Sequence, residues 1–394
     1  MNEPWVITVV ILKMINFILN NQEINTDLPS SLVVLDFLRH SQQLIGTKEG
    51  CREGGCGACM ILVGEWDGEA LSYQPVKSCL LALQKISGKH VVTIEGVNNH
   101  ELNPIQQAIV DEGATQCGYC TPGIVLSLSS FFLNSPLFPE QQAITALDGN
   151  ICRCRGYQSI KRAARQLCKK FSPFDVNSKI ERLKWLVEKQ ILPAYFLQIP
   201  KRLHKFQKPS PQSSNDSSQS SVVVAGGTIY WQKQADLYPK DIVFLSRQPD
   251  LSQIRIEQNR LNVGATTTIE AMKNSPIMRA FFPKIDKYFE LIASTPIRHR
   301  ATVGGNIVAA SPTGDLTLFF LALGASITLT DGKIQRTLAL KDFFKGHKQL
   351  DKAPNELLET VSFPVPTQNA FFNFEKVSKR TYFDIANQII NSFR

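Results

Sequence analysis

The chain has 394 residues, 43% of them hydrophobic and 20% charged, enough apolar material for two or three domains of a soluble globular protein. Nine cysteines raise the question of secretion. Eight of them fall into two compact sets, which excludes a disulfide framework and favours a reducing, cytoplasmic setting. The net charge of +9 does not indicate nucleic acid, because the basic run around Arg155, Lys161, Arg162, Arg165, Lys169 and Lys170 has no interleaved aromatic residues. That run reads as a solvated helix face or a partner contact.

Trp5 to Leu19 is largely apolar, yet it lacks a basic leader and a small-residue cleavage site and is too short to span a membrane. Ile15 to Leu19, Asn20-Asn21 and Gln22 to Ile24 predict a strand, a turn and a second strand. Residues 1–13 are then an upstream start or an extension, with Met14 an alternative first residue. A helix is expected over Leu32 to Leu38, capped by Ser30 or Ser31.

Next comes Gly50-Cys51-Arg52-Glu53-Gly54-Gly55-Cys56-Gly57-Ala58-Cys59, with Cys79 downstream. The C-x4-C-x2-C spacing is the plant-type pattern for a 2Fe–2S cluster, in which four thiolates hold two irons. A zinc site or a disulfide pair is the alternative, but zinc usually shows two separate C-x2-C pairs. A second hairpin is expected from Met60–Val63 to Leu71–Tyr73 with its turn at Asp67-Gly68, and His90 to Ile94 closes the sheet. The pattern from Ile15 to about Glu95 is that of a β-grasp ferredoxin domain.

From Asn103 to Phe171 the apolar period becomes helical, with helices opening at Pro104, running through Ile124 to Phe131, lying near Gln142 to Leu147, and running from Tyr157 to Lys170. Cys117 and Cys120 form a C-x2-C pair, and Cys152 and Cys154 form a C-x-C pair. Alone this set is ambiguous between zinc, thiol–disulfide chemistry and a second 2Fe–2S cluster. Pro122 puts the first pair at a helix N-terminus, where the dipole favours an anion. Cys168, within the last helix, reads as an inert buried thiol.

Residues 172–221 read as a linker, with seven serines between Ser210 and Ser221. Val222-Val223-Val224-Ala225-Gly226-Gly227-Thr228 then predicts a buried strand entering a glycine turn, a place where backbone N–H groups can approach a diphosphate. It is not G-x-G-x-x-G, so no Rossmann site follows. Arg300 to Asn306 and Ala310 to Asp315 are a second glycine-containing element, whose Thr302 and Asn306 also suit ordinary turn chemistry.

Taken together, Gly46 to Cys51, Gln116 to Gly123, Gly149 to Tyr157, Val222 to Thr228 and Arg300 to Asp315 resemble the xanthine dehydrogenase/aldehyde oxidase family of molybdenum hydroxylases. The resemblance implies an α+β multidomain chain: a β-grasp 2Fe–2S domain over 14–97, a helical 2Fe–2S domain over 98–171, the linker, and an FAD domain of the vanillyl-alcohol-oxidase-like type over 222–369. Residues 370–394 would begin a truncated flavoprotein C-terminal subdomain, and family members commonly begin near Met14. It further implies that Cys51, Cys56, Cys59, Cys79, Cys117, Cys120, Cys152 and Cys154 bind two clusters. FAD would contact Val223, Val224, Ala225, Gly226, Gly227, Thr228, Ile229, Tyr230, Thr302, Asn306, Asp315 and Leu358, with Lys376 a further match. Two positions depart from the family pattern: Arg155 stands where threonine is usual, and Ile229 where bacterial relatives carry an acid.

In that family electrons pass from a molybdopterin centre through the clusters to FAD and usually on to NAD. No molybdopterin module is present, so the resemblance implies a large molybdopterin-binding subunit as partner, in a heterodimer or dimer of heterodimers, and no membrane. Hypoxanthine or xanthine oxidation is the leading reading. Another hydroxylase substrate (an aldehyde, nicotinate or an aromatic acyl thioester) and a non-functional truncated remnant are its rivals.

Overall fold

The computed structural model describes residues 14–99, 101–172, 175–206, 222–233, 242–245, 249–367, 369–380, 384, 386 and 388–393. The first 13 residues and the serine-rich stretch lie outside this set. The described residues form two compact units, one built from the chain up to Phe206 and the other chiefly from Val222 onward.

The first unit opens with β1 (Ile15–Leu19) and β2 (Gln22–Thr26), joined at Asn20, whose φ of 53° makes the tight turn. β3 (Met60–Trp66) and β4 (Leu71–Lys77) form the second hairpin, with Asp67 Oδ1 accepting from the Glu69 and Ala70 amides in the turn. β5 (His90–Val92) does not close the sheet at its edge. It lies in the middle, in the order β2-β1-β5-β3-β4, parallel to β1 and antiparallel to β3.

Period-two alternation explains why both faces of this sheet are buried. Ile15, Phe17, Leu19, Ile61, Val63 and Val91 pack on one side with Phe37 and Leu38. Ile18, Met60, Leu62 and Val92 point to the other side and share a core with Ile124, Val125 and Leu128 of the helical part.

The early helix differs from expectation. α1 (Val34–Asp36) starts after Val33 with no side-chain cap and continues as a π turn over Phe37–Ser41. Ser31 is buried without a hydrogen bond from its hydroxyl. Here tertiary pairing overrides capping: Val34 N–H donates to Leu81 C=O at 2.8 Å and Leu83 N–H donates to Leu32 C=O at 2.8 Å.

Four helices follow: α2 (Pro104–Asp111), α3 (Thr121–Asn134), α4 (Glu140–Thr145) and α5 (Gln158–Lys170). Asn103 and Gln106 form a full capping box for α2. Cys168 on α5 is buried, and burial pushes its thiol up to about 11. On α5 Lys161 is half-buried and Lys169 and Lys170 are exposed, while Arg162 and Arg165 pair with Glu112 and Glu140.

The linker expectation is corrected over its first half. α6 (Lys179–Glu188), a 3-10 segment over Ala194–Gln198 and α7 (Ile199–Leu203) are folded onto the first unit. Leu186, Ile191, Leu192, Phe196 and Ile199 are buried in the same core as α3, and Arg182 Nη1 donates to the Leu133 carbonyl at 3.1 Å. These apolar residues outweigh the polar composition further along.

In the second unit, β6 (Val222–Val224) pairs in parallel with β7 (Ile242–Phe244). A short helix, α8 (Tyr230–Lys233), lies between these strands in the chain, and its residues from Trp231 group with the first unit. β6 is not wholly buried, since Val223 is 38% exposed. The main sheet has the order β11-β10-β14-β9-β8. Its strands are β8 (Ile254–Glu257), β9 (Arg260–Gly264), β10 (Ser326–Thr330), β11 (Gln335–Ala339) and β14 (Leu357–Pro364).

Helices α9 (Ile269–Asn274), α10 (Pro276–Phe281), α11 (Ile285–Glu290), α12 (Thr295–Arg298), α13 (Val303–Val308) and α14 (Asp315–Ala322) complete the layer above it. Two further hairpins, β12 (Phe344–Gly346) with β13 (Gln349–Leu350) and β15 (Phe372–Val377) with β16 (Gln388–Phe393), complete the unit. Its core is Val263, Val303, Ile307, Phe319, Phe320, Ile327, Val361 and Phe363 with their neighbours. A buried ion pair, Arg298 Nε to Glu270 Oε2 at 2.8 Å, ties α12 to α9.

Candidate cluster and flavin sites

All eight cysteines of the two sets are free thiols. They stand in four pairs: Cys51 with Cys56, Cys59 with Cys79, Cys117 with Cys154, and Cys120 with Cys152. The Cys154 and Cys117 sulfurs are 3.5 Å apart. Each pair lies within electrostatic range of the other pair of its set. Among the described residues no three or more His, Cys, Asp or Glu side chains are grouped as a single-ion site. Pairs are the arrangement a binuclear cluster needs, since each of its two irons takes two thiolates.

Proton sharing within the pairs sets their electrostatics. The hydrogen bond from Cys56 draws Cys51 down to about 4, helped by backbone N–H groups, and pushes Cys56 up. Cys51 Sγ also accepts from the Gly55 and Cys56 amides at 3.2 and 3.3 Å. Cys59 is lowered by its bond to Cys79, and Cys79 is raised. Burial, then Cys152, pushes Cys120 up to about 12. The Tyr119 amide and Cys154 lower Cys117, and Cys154 is raised. Thiolate ligation therefore releases protons from the raised member of each pair.

The two loops meet at a junction of small residues. A methyl group on Gly57 (φ 75°) would stand 2.3 Å from the Gly149 carbonyl oxygen, and one on Gly123 would stand 2.3 Å from the Gly57 carbonyl oxygen. Neither side chain has room. Ile151 N–H donates to Cys56 C=O at 2.8 Å, so residues beside Cys152 bond directly to the first set. The Tyr119 hydroxyl donates to the Glu49 carbonyl. Asn150 lies between the loops, its Oδ1 accepting from Ser127 at 2.7 Å and its buried Nδ2 making no hydrogen bond. Spacing alone gives Asn150 no role.

In the second unit the Ala225-to-Thr228 turn and the Arg300-to-Asp315 segment come together. Arg300 Nη2 donates to Gly226 C=O at 2.8 Å. A methyl on Gly226 would lie 2.0 Å from the Arg300 carbonyl oxygen, so the turn presses its bare backbone on that segment. Thr302 caps α13 by accepting from Gly305 N–H at 3.1 Å. Asp315 opens α14, and its Oδ2 accepts from Lys376 Nζ at 2.9 Å. Burial raises the Asp315 carboxyl against the pull of Lys376.

Several buried polar atoms here make no hydrogen bond: Asn306 Oδ1, Asp315 Oδ1, and the hydroxyls of Thr266, Thr267 and Thr317. Buried polar groups normally have partners, so this set fits a polar cofactor. Thr228 is buried, and Ile229 and Tyr230 are half-buried beyond the turn. Leu358 is set differently. Its side chain lies in the apolar core on β14, opposite Leu329 on β10. The neighbouring Glu359 carbonyl accepts from Ala265 N–H at 2.9 Å, so this strand supports the Thr266-Thr267 turn. Arg300 and the two threonines were missed from sequence. Arg300's place at the start of the Arg300-to-Asn306 element and the Thr266-Thr267-Thr268 run are the available signals.

Residues 17–84 match the family of the 2Fe-2S iron-sulfur cluster binding domain, and residues 93–165 match the 2Fe-2S binding domain. Residues 204–366 match the FAD binding domain in molybdopterin dehydrogenase. Xanthine dehydrogenase of Oryza sativa subsp. japonica is 27% identical over 438 residues, covering 91% of this chain and 32% of the relative. The chain belongs to the xanthine dehydrogenase family, as its iron–sulfur and FAD portion.

Xanthine dehydrogenase of Dictyostelium discoideum is 28% identical, over 94% of this chain and 33% of that relative. The chain thus spans about a third of the length of these family members. A solved Cu,Mo-CO dehydrogenase in its cyanide-inactivated form is 31% identical over 43% of this chain and 60% of its own, with a TM-score of 0.41. Among the described residues no helix is long and apolar enough to cross a membrane.

Proposed function

We propose that this chain is the iron–sulfur flavoprotein subunit of a cytoplasmic molybdenum hydroxylase of the xanthine dehydrogenase type. It would serve hypoxanthine or xanthine oxidation with NAD as acceptor. The observation that carries the reading is the set of four sulfur pairs in two adjoining loops, followed in the chain by the unsatisfied polar cradle of the second unit. Bound there, the clusters supply one-electron and the FAD two-electron redox chemistry.

The protein's part is holding and tuning. Cys51, Cys56, Cys59 and Cys79 hold the first cluster, and Cys117, Cys120, Cys152 and Cys154 hold the second. The close backbone approach at the Gly57–Gly123 junction fixes the spacing of the loops. The Ala225-to-Thr228 turn receives a diphosphate, while Thr302, Asn306 and Asp315, with Lys376 behind, receive the rest of the flavin. The hydroxylation chemistry would come from a large molybdopterin-binding subunit as partner. Exposed Cys117 and Cys154 have exposed apolar neighbours in Tyr119, Ile151 and Tyr157, which supports partner docking at the second cluster.

The test is co-expression with a molybdopterin-binding large subunit of this family, followed by hypoxanthine-dependent NADH formation. Turnover supports the reading. A complex that assembles and oxidises an aldehyde but neither purine overturns the substrate assignment.

A further inference from the structure

Lys77 is 1% exposed, among the most buried large side chains in the molecule. It ends β4, two residues before Cys79, and its Nζ donates to the carbonyl of Gly54 inside the first cysteine loop. The thiols of Cys59, Cys79 and Cys51 and the carboxylate of Asp148 are among the ionisable groups within its electrostatic range. Burying an ammonium group costs several kcal/mol unless negative charge compensates it. The Gly54 carbonyl, the Asp148 carboxylate and the thiols of the first set lie where they can supply that compensation. A cluster held by four thiolates carries net negative charge, and net charge and hydrogen bonding set its reduction potential.

We infer that Lys77 is a fixed internal cation that raises the reduction potential of the first cluster and, through Gly54, holds its loop in place. Lys77 is thus a positioning and tuning residue rather than a ligand. The inference rests on the reading of Cys51, Cys56, Cys59 and Cys79 as cluster ligands. The second set has exposed Cys117 and Cys154 and does not include Lys77's hydrogen-bond partner, so it serves as an internal reference.

Two variants separate charge from bonding. Lys77→Gln keeps a donor for Gly54 and removes the charge, and Lys77→Met removes both. The full-length chain is loaded with iron and sulfide, and each cluster's midpoint is read by EPR during a dithionite titration with mediators. In Lys77→Gln the first cluster should be about tenfold harder to reduce, which is ~59 mV for one electron, while the second stays at its wild-type midpoint. Lys77→Met should show the same shift with lower iron occupancy at the first site.

A first-cluster midpoint unchanged in the loaded Lys77→Gln protein overturns the inference and leaves the ligand assignment standing. Loss of first-site iron from both variants also overturns it, making Lys77 purely structural. A wild-type chain that binds no iron at the first site removes the ligand reading and this inference with it.

Discussion

The two cysteine sets share a chemistry but not an environment. In the first, Cys59 and Cys79 are buried and the loop is braced by Lys77 from within and by Arg52, which pairs with Asp36 and Glu49, from outside. In the second, Cys117 and Cys154 are exposed, and the backbone around them is held by the N-terminus of α3 and the turn before α5. The first set sits in a loop beside a sheet whose two faces are covered, with Cys51 and Cys56 half-buried and Cys59 and Cys79 buried. The second presents sulfur to whatever lies outside. The same four thiols can thus be sealed or displayed, depending on whether the surrounding elements bury a sheet face or cap a helix.

The junction between the sets is where the contrast breaks most readily. Gly123→Val would drive a side chain into the Gly57 backbone, and we expect a loss of about 4 kcal/mol and of both clusters. Gly118→Ala, at a positive φ with open space around it, should cost about 1 kcal/mol and leave the first cluster intact. Thermal unfolding and iron analysis distinguish the two.

The sealed module should also be the acid-sensitive one. Burial depresses His90 to about 3, with Tyr73 bonded to Nδ1 at 2.7 Å and Asn20 C=O at Nε2 at 2.8 Å. A folded-state value below the unfolded 6.5 means this stability is present above pH 6.5 and is lost as pH falls toward 3. Roughly 2–3 kcal/mol should be gone from this group by pH 4.5. Urea titrations of the metal-free protein should show that slope, and His90→Gln should flatten it.

Substitution within the sets sharpens the comparison. In metal-free protein Cys59→Ser should cost about 2 kcal/mol and Cys154→Ser under about 0.5, measured by denaturant midpoint. In the flavin unit, Asn306→Ala removes an acceptor with no partner among the described residues, so FAD affinity should fall about tenfold with iron content unchanged. Fluorescence titration with FAD reads that difference.

Much of this was legible from residue spacing. The C-x4-C-x2-C loop, the Asn20-Asn21 and Asp67-Gly68 turns and the helix at Pro122 all lie where local chemistry puts them. What escaped was decided by distant contacts. The Ser30 or Ser31 cap gave way to pairing of the 32–34 backbone with residues 81–83. Serines just ahead of β6 hid the apolar helices around Leu186 and Phe196, which only the core of α3 reveals as buried. Lys77 is an ordinary strand residue in sequence, and only the loop folded over it makes it a buried cation. Thr266 and Thr267 likewise gain meaning only once their hydroxyls are seen without partners.

The central claim is that one chain builds two separate 2Fe–2S sites of unequal burial. Metal analysis with EPR of the dithionite-reduced full-length chain tests it most directly. The account predicts about four irons per chain and two separable signals, with Cys154→Ser abolishing one and Cys59→Ser the other. Zinc in place of iron, or a single signal with about two irons, would contradict it.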